Sequence, residues 1–406
     1  MKSFNEYEDE IYKCSRCGLC QSVCPVYKIT HNECSVSRAK FNILNGIIKR
    51  ELDFDKQVKS YLDLCTGCNA CKKFCPSGID VVSILISAKN EYYKKNKLSL
   101  VEKFLNSYFV FKLALRLALV YFSVIRIFHL DKIFCLLEAF FSRFGFLGKF
   151  FILFNSFVKQ NYKYKPCPKK ISKKNKAIYF KGCFNKYLNS ETYDAVTKIF
   201  ENLDIELIEK NFECCGVSYL NDGLIDNFKE LINKNISLLD EDYDYVLTDC
   251  ASCNSVLKDY KTYLSNEKTI QLTEKTVSVI DLIENVKFFS KSKMNVAVHI
   301  PCHESSNLLK IVQNIGNINL VMAKDYDKCC GFSGKFALKN SEISKEISRR
   351  KIQSYIDSGA DIILTTCPAC ILGLKQGCIE INAQNRSNRN TPEVMNLFVF
   401  LAKYCC

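Results

Sequence analysis

Apolar positions in the first hundred residues recur at helical spacing. Phe41, Ile43, Leu44, Ile47 and Ile48 follow Ser37-Arg38-Ala39-Lys40 in the three- and four-residue steps of one helix face. The stretch 81–95 repeats that pattern and predicts another helix. From residue 177 the pattern changes. Short β-branched and aromatic runs alternate with helical stretches such as 195–203 and 343–357. Four of the runs form two matched pairs. Ala177-Ile-Tyr-Phe180 matches Val296-Ala-Val-His299, and Asp244-Tyr-Val-Leu-Thr248 matches Asp361-Ile-Ile-Leu-Thr365. The chain is therefore expected to contain an internal duplication, two α/β lobes with mostly parallel sheets. Residues 277–284 and 392–402 read as matched closing helices, the second with Thr391 as N-cap and Pro392 at the first helical position.

Residues 99–165 break both patterns. Ten Lys or Arg face three acids there, and seventeen aromatic residues fall between Val101 and Tyr162. No uncharged apolar stretch reaches the roughly 18 residues of a spanning helix. On a helix, Lys112, Arg116, Ser123 and Arg126 form a narrow basic stripe. That suits a helix lying in a membrane interface, or one packed against a partner subunit or the chain's own core. The Lys-rich stretch 159–176 follows, with Pro166 and Pro168 and no acid. It suits solvent or anionic headgroups. The net charge of +14 comes with no helix-turn-helix or RNA-binding signature, so no nucleic-acid partner is expected.

The cysteines carry the chemistry. Eighteen of 24 fall into four patterns. The first two are Cys14, Cys17, Cys20, Cys24-Pro25 and Cys65, Cys68, Cys71, Cys75-Pro76, the C-x2-C-x2-C-x3-C-P run of bacterial ferredoxins. Where two runs occur together, the fourth cysteine ligates the other cluster. That assigns Cys14, Cys17, Cys20 and Cys75 to one [4Fe–4S] cubane, and Cys65, Cys68, Cys71 and Cys24 to the second. The other two patterns each offer five thiolates. They are Cys183, Cys214-Cys215-Gly216, Cys250 and Cys253, then Cys302, Cys329-Cys330-Gly331, Cys367 and Cys370. Adjacent cysteines do not easily point at one face of a cubane, so these units suit a distorted cluster or metals sharing sulfur. Gly216 and Gly331 leave room for close backbone approach or positive φ. A vicinal disulfide with zinc on the remaining thiols is the alternative. Zinc spacing fits the first two runs poorly. A disulfide framework belongs to secreted domains, and residues 1–10 are acidic with no apolar leader segment. Cys34, Cys135 and Cys378 read as small buried hydrophobes. His303, next to Cys302, is a candidate donor or proton relay.

Two ferredoxin runs plus two Cys-Cys-Gly modules resemble the iron–sulfur subunits of glycolate and D-lactate oxidases and of anaerobic glycerol-3-phosphate dehydrogenase. They also resemble the catalytic iron–sulfur subunit of membrane-bound heterodisulfide reductases. Cys17-Gly-Leu-Cys20 and Cys75-Pro-Ser-Gly78 look like the oxidase subunit. Asp249-Cys-Ala-Ser-Cys253 and Pro301-Cys-His303 look like the glycerol-3-phosphate type. The heterodisulfide resemblance implies a noncubane [4Fe–4S] cluster on each five-cysteine set. Oxidase-type relatives often lack one or more of these cysteines, whereas both sets here are complete.

The expected fold class is α+β and multidomain. It comprises an N-terminal helical two-cluster ferredoxin domain (1–98), an apolar helical middle (99–165), a Lys-rich linker (166–176) and two duplicated α/β Cys-Cys-Gly lobes (177–290 and 291–406). No Rossmann fingerprint or phosphate loop is present, so no NAD, FAD or ATP site is expected. The expected function is electron transfer from a separate FAD-containing dehydrogenase subunit to the quinone pool, at the cytoplasmic face of the cell membrane. A thiol–disulfide reductase subunit is the competing expectation, and a purely structural metal protein the third.

Overall fold

In the computed structural model of the protein, the described residues are 2–96, 175–187, 189, 191–200, 205–240, 242–304, 307–384 and 391–405, with a few isolated positions between 98 and 110. The apolar middle and most of the linker, with Cys135, Cys167, Cys406 and the basic stripe, lie outside them.

The described N-terminal region is helical throughout. Helix Ser37–Ile48 buries Phe41, Leu44 and Ile47. Asp55 caps Lys56–Asp63 by accepting from Val58 N, and Asp80 caps Val81–Lys95 by accepting from Ser83 N. Each cap satisfies one of the amides that a helix start leaves without a partner. Leu44, Leu62, Ile84 and Ala88 meet in one core, with Cys14, Cys65, Cys71 and Cys75 along its edge.

Beyond it, the described residues form ten short strands and their helices. The strands are β1 (Asn175–Tyr179), β2 (Ile205–Glu209), β3 (Tyr245–Thr248), β4 (Thr276–Ser278), β5 (Phe288–Phe289), β6 (Asn295–Val298), β7 (Ile315–Gly316), β8 (Asn319–Leu320), β9 (Ile362–Thr365) and β10 (Glu393–Asn396). Two four-stranded sheets have the orders β2-β1-β3-β4 and β8-β6-β9-β10, which are one topology used twice. Every pairing within them is parallel. Parallel strands are covered on both faces, and alternate residues go to different cores. Ile178, Val246, Ala297 and Ile363 join the core that holds the cysteines. Ala177, Tyr179, Val296 and Leu364 join a second core shared by both lobes.

The lobes pack reciprocally. Helix Glu191–Phe200 of lobe 1 lies on the closing helix Leu397–Tyr404 of lobe 2, and Asn307–Gln313 of lobe 2 lies on the closing helix Val279–Ile283 of lobe 1. This is the arrangement of a two-fold dimer interface, made inside one chain. The closing segments differ from their sequence reading. Each begins with a strand, β4 or β10, before its helix. Thr391-Pro392 therefore leads into β10 and starts no helix. The cap is Asn396, whose Oδ1 accepts from Phe398 N at 2.9 Å. A Pro is tolerated at a strand start as it is at a helix start, so the dipeptide alone does not distinguish the two.

Candidate metal centres

The two ferredoxin-type runs fold alike. Arg16 and Gly18 in the first, and Gly67 and Asn69 in the second, have positive φ at equivalent places. This turns backbone N–H groups into each loop; Gly67 N, for example, lies 3.4 Å from Cys65 Sγ. The short helices that follow, Leu19–Val23 and Ala70–Phe74, pack together and cross the runs over one another. Cys24 consequently lies beside Cys65 and Cys68, and Cys71 beside Cys65, Cys68 and Cys24. Burial pushes the Cys24 thiol up to about 11 and Cys71 up to about 12. Cys14 and Cys75 pack on the domain core, while Cys17 and Cys20 sit outward near Arg38.

Lys40 stands behind the second run, 1% exposed. Its Nζ donates to Ser35 O at 2.5 Å and Leu64 O at 2.8 Å. Cys24 Sγ also points at Ser35 O, at 3.9 Å. Burial pulls the lysine pKa down, and Cys65, Cys24 and Cys71 oppose this. Its place at a helical position hid it in the sequence.

In each lobe the early cysteine follows the first strand, and Cys-x-x-Cys follows the third, at strand C-terminal ends where open α/β sheets hold ligands. Cys183 Sγ lies 3.4 Å from Cys214 Sγ. Thiol-to-thiol contacts then run Cys183, Cys214, Cys215, Cys253, Cys250. The second lobe repeats the order as Cys302, Cys329, Cys330, Cys370, Cys367. Both members of each adjacent pair thus face the same five-thiol site. The turn depends on the glycine. Gly216 has φ +88°, and a Cβ there would stand 2.5 Å from the Phe228 ring; Gly331 has φ +82°, with Ile347 at 2.9 Å. Each glycine N–H lies 3.4 Å from the first sulfur of the pair.

The three cysteine regions touch. Cys250 meets Cys367, its own counterpart in the other lobe, so this contact lies on the internal two-fold. Cys68 of the ferredoxin domain meets Cys329. The first of these contacts lies inside the buried core. No disulfide joins the described cysteines. Contact with Cys329, then burial, pushes Cys68 well above the usual thiol range, and contact with Cys215 does the same for Cys253. Crowded thiols of this kind ionise together only against a bound cation, and thiolate is the form that ligates metal. The donor set therefore fits iron–sulfur centres, whose clusters are held by cysteine thiolates.

Two histidines border lobe 2. His303 is half-buried, and burial lowers its pKa, with Cys367 opposing. His299 is fully buried; burial and then Lys351 hold it far below its ordinary value, so it is a neutral imidazole. In lobe 1 the residue before Cys250 is Asp249, fully buried. It accepts from Tyr179 Oη at 2.5 Å and Asn185 Nδ2 at 2.8 Å, and burial raises it to about 6. In sequence, His299 was legible only as the end of a strand, and Asp249 only as part of a cysteine motif.

Comparison with known proteins agrees with this architecture. A 4Fe-4S dicluster domain model matches residues 10–79, and a cysteine-rich domain model matches twice, at 177–258 and 296–375. The chain belongs to the iron–sulfur proteins that join a dicluster ferredoxin-type domain to two cysteine-rich domains, and it binds iron–sulfur clusters. Among its relatives is the probable glycolate oxidase iron-sulfur subunit of Bacillus subtilis, 23% identical over 91% of this chain and 89% of that one. The glycolate oxidase iron-sulfur subunit of Escherichia coli is 21% identical, covering 90% of each. A subunit of the dihydromethanophenazine:CoB–CoM heterodisulfide reductase of Methanosarcina acetivorans is 22% identical over 91% of this chain and 89% of that one. A solved Helicobacter pylori structure, described as a hypothetical protein, shares the fold with TM-score 0.50 at 9% identity, over 88% of this chain and 66% of that one.

Proposed function

We propose that the chain is the electron-transfer subunit of a membrane-associated respiratory dehydrogenase of the glycolate/D-lactate or glycerol-3-phosphate type, passing electrons from a FAD-containing partner to the quinone pool. Its site residues in this reading are the eighteen cysteines of the four patterns, from Cys14 to Cys370. Cys14, Cys17, Cys20 and Cys75 hold one [4Fe–4S] cubane, and Cys65, Cys68, Cys71 and Cys24 the other. The two five-cysteine sets hold one or two further clusters of noncubane type. When bound, such clusters supply one-electron storage and transfer.

The observation that carries the reading is the contact of Cys68 with Cys329 and of Cys250 with Cys367. The fold has brought three separate cysteine regions edge to edge, one contact inside the core and the other partly buried, which suits passing electrons and exceeds what a purely structural metal site requires. The chain's part is to bury the thiolates, direct N–H groups at sulfur, and exclude water. Among the described residues no helix is long and apolar enough to cross a membrane. Membrane contact in this reading falls to residues 99–165, peripherally and on the cytoplasmic side.

The complete five-cysteine sets favour a second reading, a heterodisulfide-reductase-like thiol–disulfide oxidoreductase subunit. Anaerobic mild-detergent isolation from native cells separates the two. Co-purification of a flavoprotein dehydrogenase is expected. A b-type cytochrome without a flavin partner would move the assignment to the second reading, and a chain with no redox partner would refute both.

A further inference from the structure

The lobes share a topology but their cysteine sites are not equivalent. Phe180 follows β1 and His299 follows β6; each backbone N–H donates to the matching strand, to Leu247 O and Leu364 O, at 2.8 Å. They occupy the same place, and both are fully buried. Phe180 packs on Phe212, ring centroids 4.8 Å apart. His299 instead brings an imidazole to Cys330 and Cys370, with ligating atoms within 4.8 Å of one another. The imidazole faces the Tyr326 backbone, but neither ring nitrogen reaches good hydrogen-bond geometry with any described residue. A poorly paired buried polar group is costly, and Phe180 fills the same position of lobe 1 with no nitrogen at all.

A second difference stands on the helices behind the Cys-Cys-Gly turns. Gly216 rests on Phe228 and Leu231, and Gly331 on Ser344 and Ile347, which aligns the two helices. The next turn carries Asn235 in lobe 1 and Lys351 in lobe 2. Asn235 Oδ1 accepts from Glu213 N at 2.9 Å, and Nδ2 donates to Cys214 O at 3.1 Å. Lys351 Nζ donates to Lys328 O, just before Cys329, and to Asp325 O. The same corner thus carries an amide in one lobe and a buried amine in the other, 3% exposed; burial lowers the lysine pKa, and Cys330, Cys302, Cys329 and Cys370 oppose this.

We propose that His299 is a nitrogen donor to the metal centre of the second lobe, making it a mixed nitrogen–sulfur centre, and that His299 with Lys351 sets that centre at a higher reduction potential than its lobe 1 counterpart. The proposal rests on the reading that both lobes hold iron–sulfur centres. An imidazole that takes the coordination position of one of the five thiolates removes a negative charge from the centre, and histidine in place of cysteine raises cluster potentials. A buried ammonium favours the added electron by Coulomb attraction, strengthened in a dry interior. Because the lobe 2 site touches both Cys68 and Cys250, the higher-potential centre stands between the ferredoxin domain and lobe 1. An electron arriving from either side comes to rest there.

The test uses the full chain purified anaerobically with its clusters, grown with 15N-histidine. Pulsed electron paramagnetic resonance of the reduced protein is expected to show histidine nitrogen coupling at one C-terminal centre. That coupling should vanish in His299→Phe, which installs the lobe 1 residue, and persist in His303→Asn. Redox titration should show that centre shifted to lower potential in His299→Phe and in Lys351→Asn, with the ferredoxin-type centres unmoved. If His299→Phe fails to retain the cluster, the labelled wild type with His303→Asn decides by itself. Coupling absent from the wild type, or lost in His303→Asn, would overturn the proposal, as would lobe centres of equal potential. Iron absent from the C-terminal lobes altogether would instead overturn the reading beneath it.

Discussion

Lys339 Nζ lies 3.0 Å from Asp63 Oδ2 and 3.2 Å from Asp222 Oδ1. One ammonium of lobe 2 thereby joins carboxylates of the ferredoxin domain and lobe 1. Lys59 and Lys89 also reach Asp63, at 2.7 and 3.3 Å, and Lys335 reaches Asp222 at 3.0 Å. This network stands where the three domains meet.

Asp63 is the member whose loss should be felt most. Burial would raise its pKa, but Lys89, Lys59 and Lys339 overcome that and hold it well below the usual carboxylate range. Asp63→Asn leaves buried ammonium groups uncompensated and is expected to cost about 3 kcal/mol. A depressed folded pKa contributes stability above the unfolded value of about 3.9, and the contribution is lost as pH falls through the folded value. Denaturant midpoints of wild type and Asp63→Asn should therefore converge below about pH 4. A gap that stays constant down to about pH 2 would contradict this origin.

Gly216→Ala puts a side chain at φ +88° and 2.5 Å from the Phe228 ring. Left-handed strain of roughly 1–3 kcal/mol and a comparable overpacking cost should combine. Lowered thermal stability with reduced iron and sulfide content is the expected result; full iron content at unchanged melting temperature is the contrary one.

Cys68→Ser removes the thiol that contacts Cys329. Electron transfer to quinone should fall to background while dye-linked activity of the flavin partner persists. If flavin activity disappears as well, the chain serves assembly and not conduction.

Lys40→Met withdraws a buried cation from beside Cys24 and Cys65. The second ferredoxin centre should become harder to reduce by about 60 mV or more, one tenfold step for a one-electron couple. Spectroscopic redox titration measures this. An unshifted potential would mean that the lysine only ties Ser35 O to Leu64 O.

Much of this was legible in the residues. Helix Val81–Lys95 has the expected ends, and β1, β3, β6 and β9 coincide with the matched runs to within two residues. The ligand candidates stood out because thiolates at fixed short spacing serve little else. His299, Lys40 and Lys351 did not, since each occupies an ordinary position in a helix or just after a strand and acquires its role from what folding brings opposite. Asn396 was missed as a cap because Thr391-Pro392 offers the same local chemistry five residues earlier, and only the pairing of β10 with β9 decides between them.

The reciprocal packing of the lobes carries a genetic consequence. In a homodimer every substitution appears twice, so a histidine suited to one centre is imposed on the other. Covalent fusion of the halves removes that constraint: the codons for positions 180 and 299, or 235 and 351, drift independently while the shared interface stays intact. A symmetric ancestor could hold only twins; this chain can hold a donor and an acceptor.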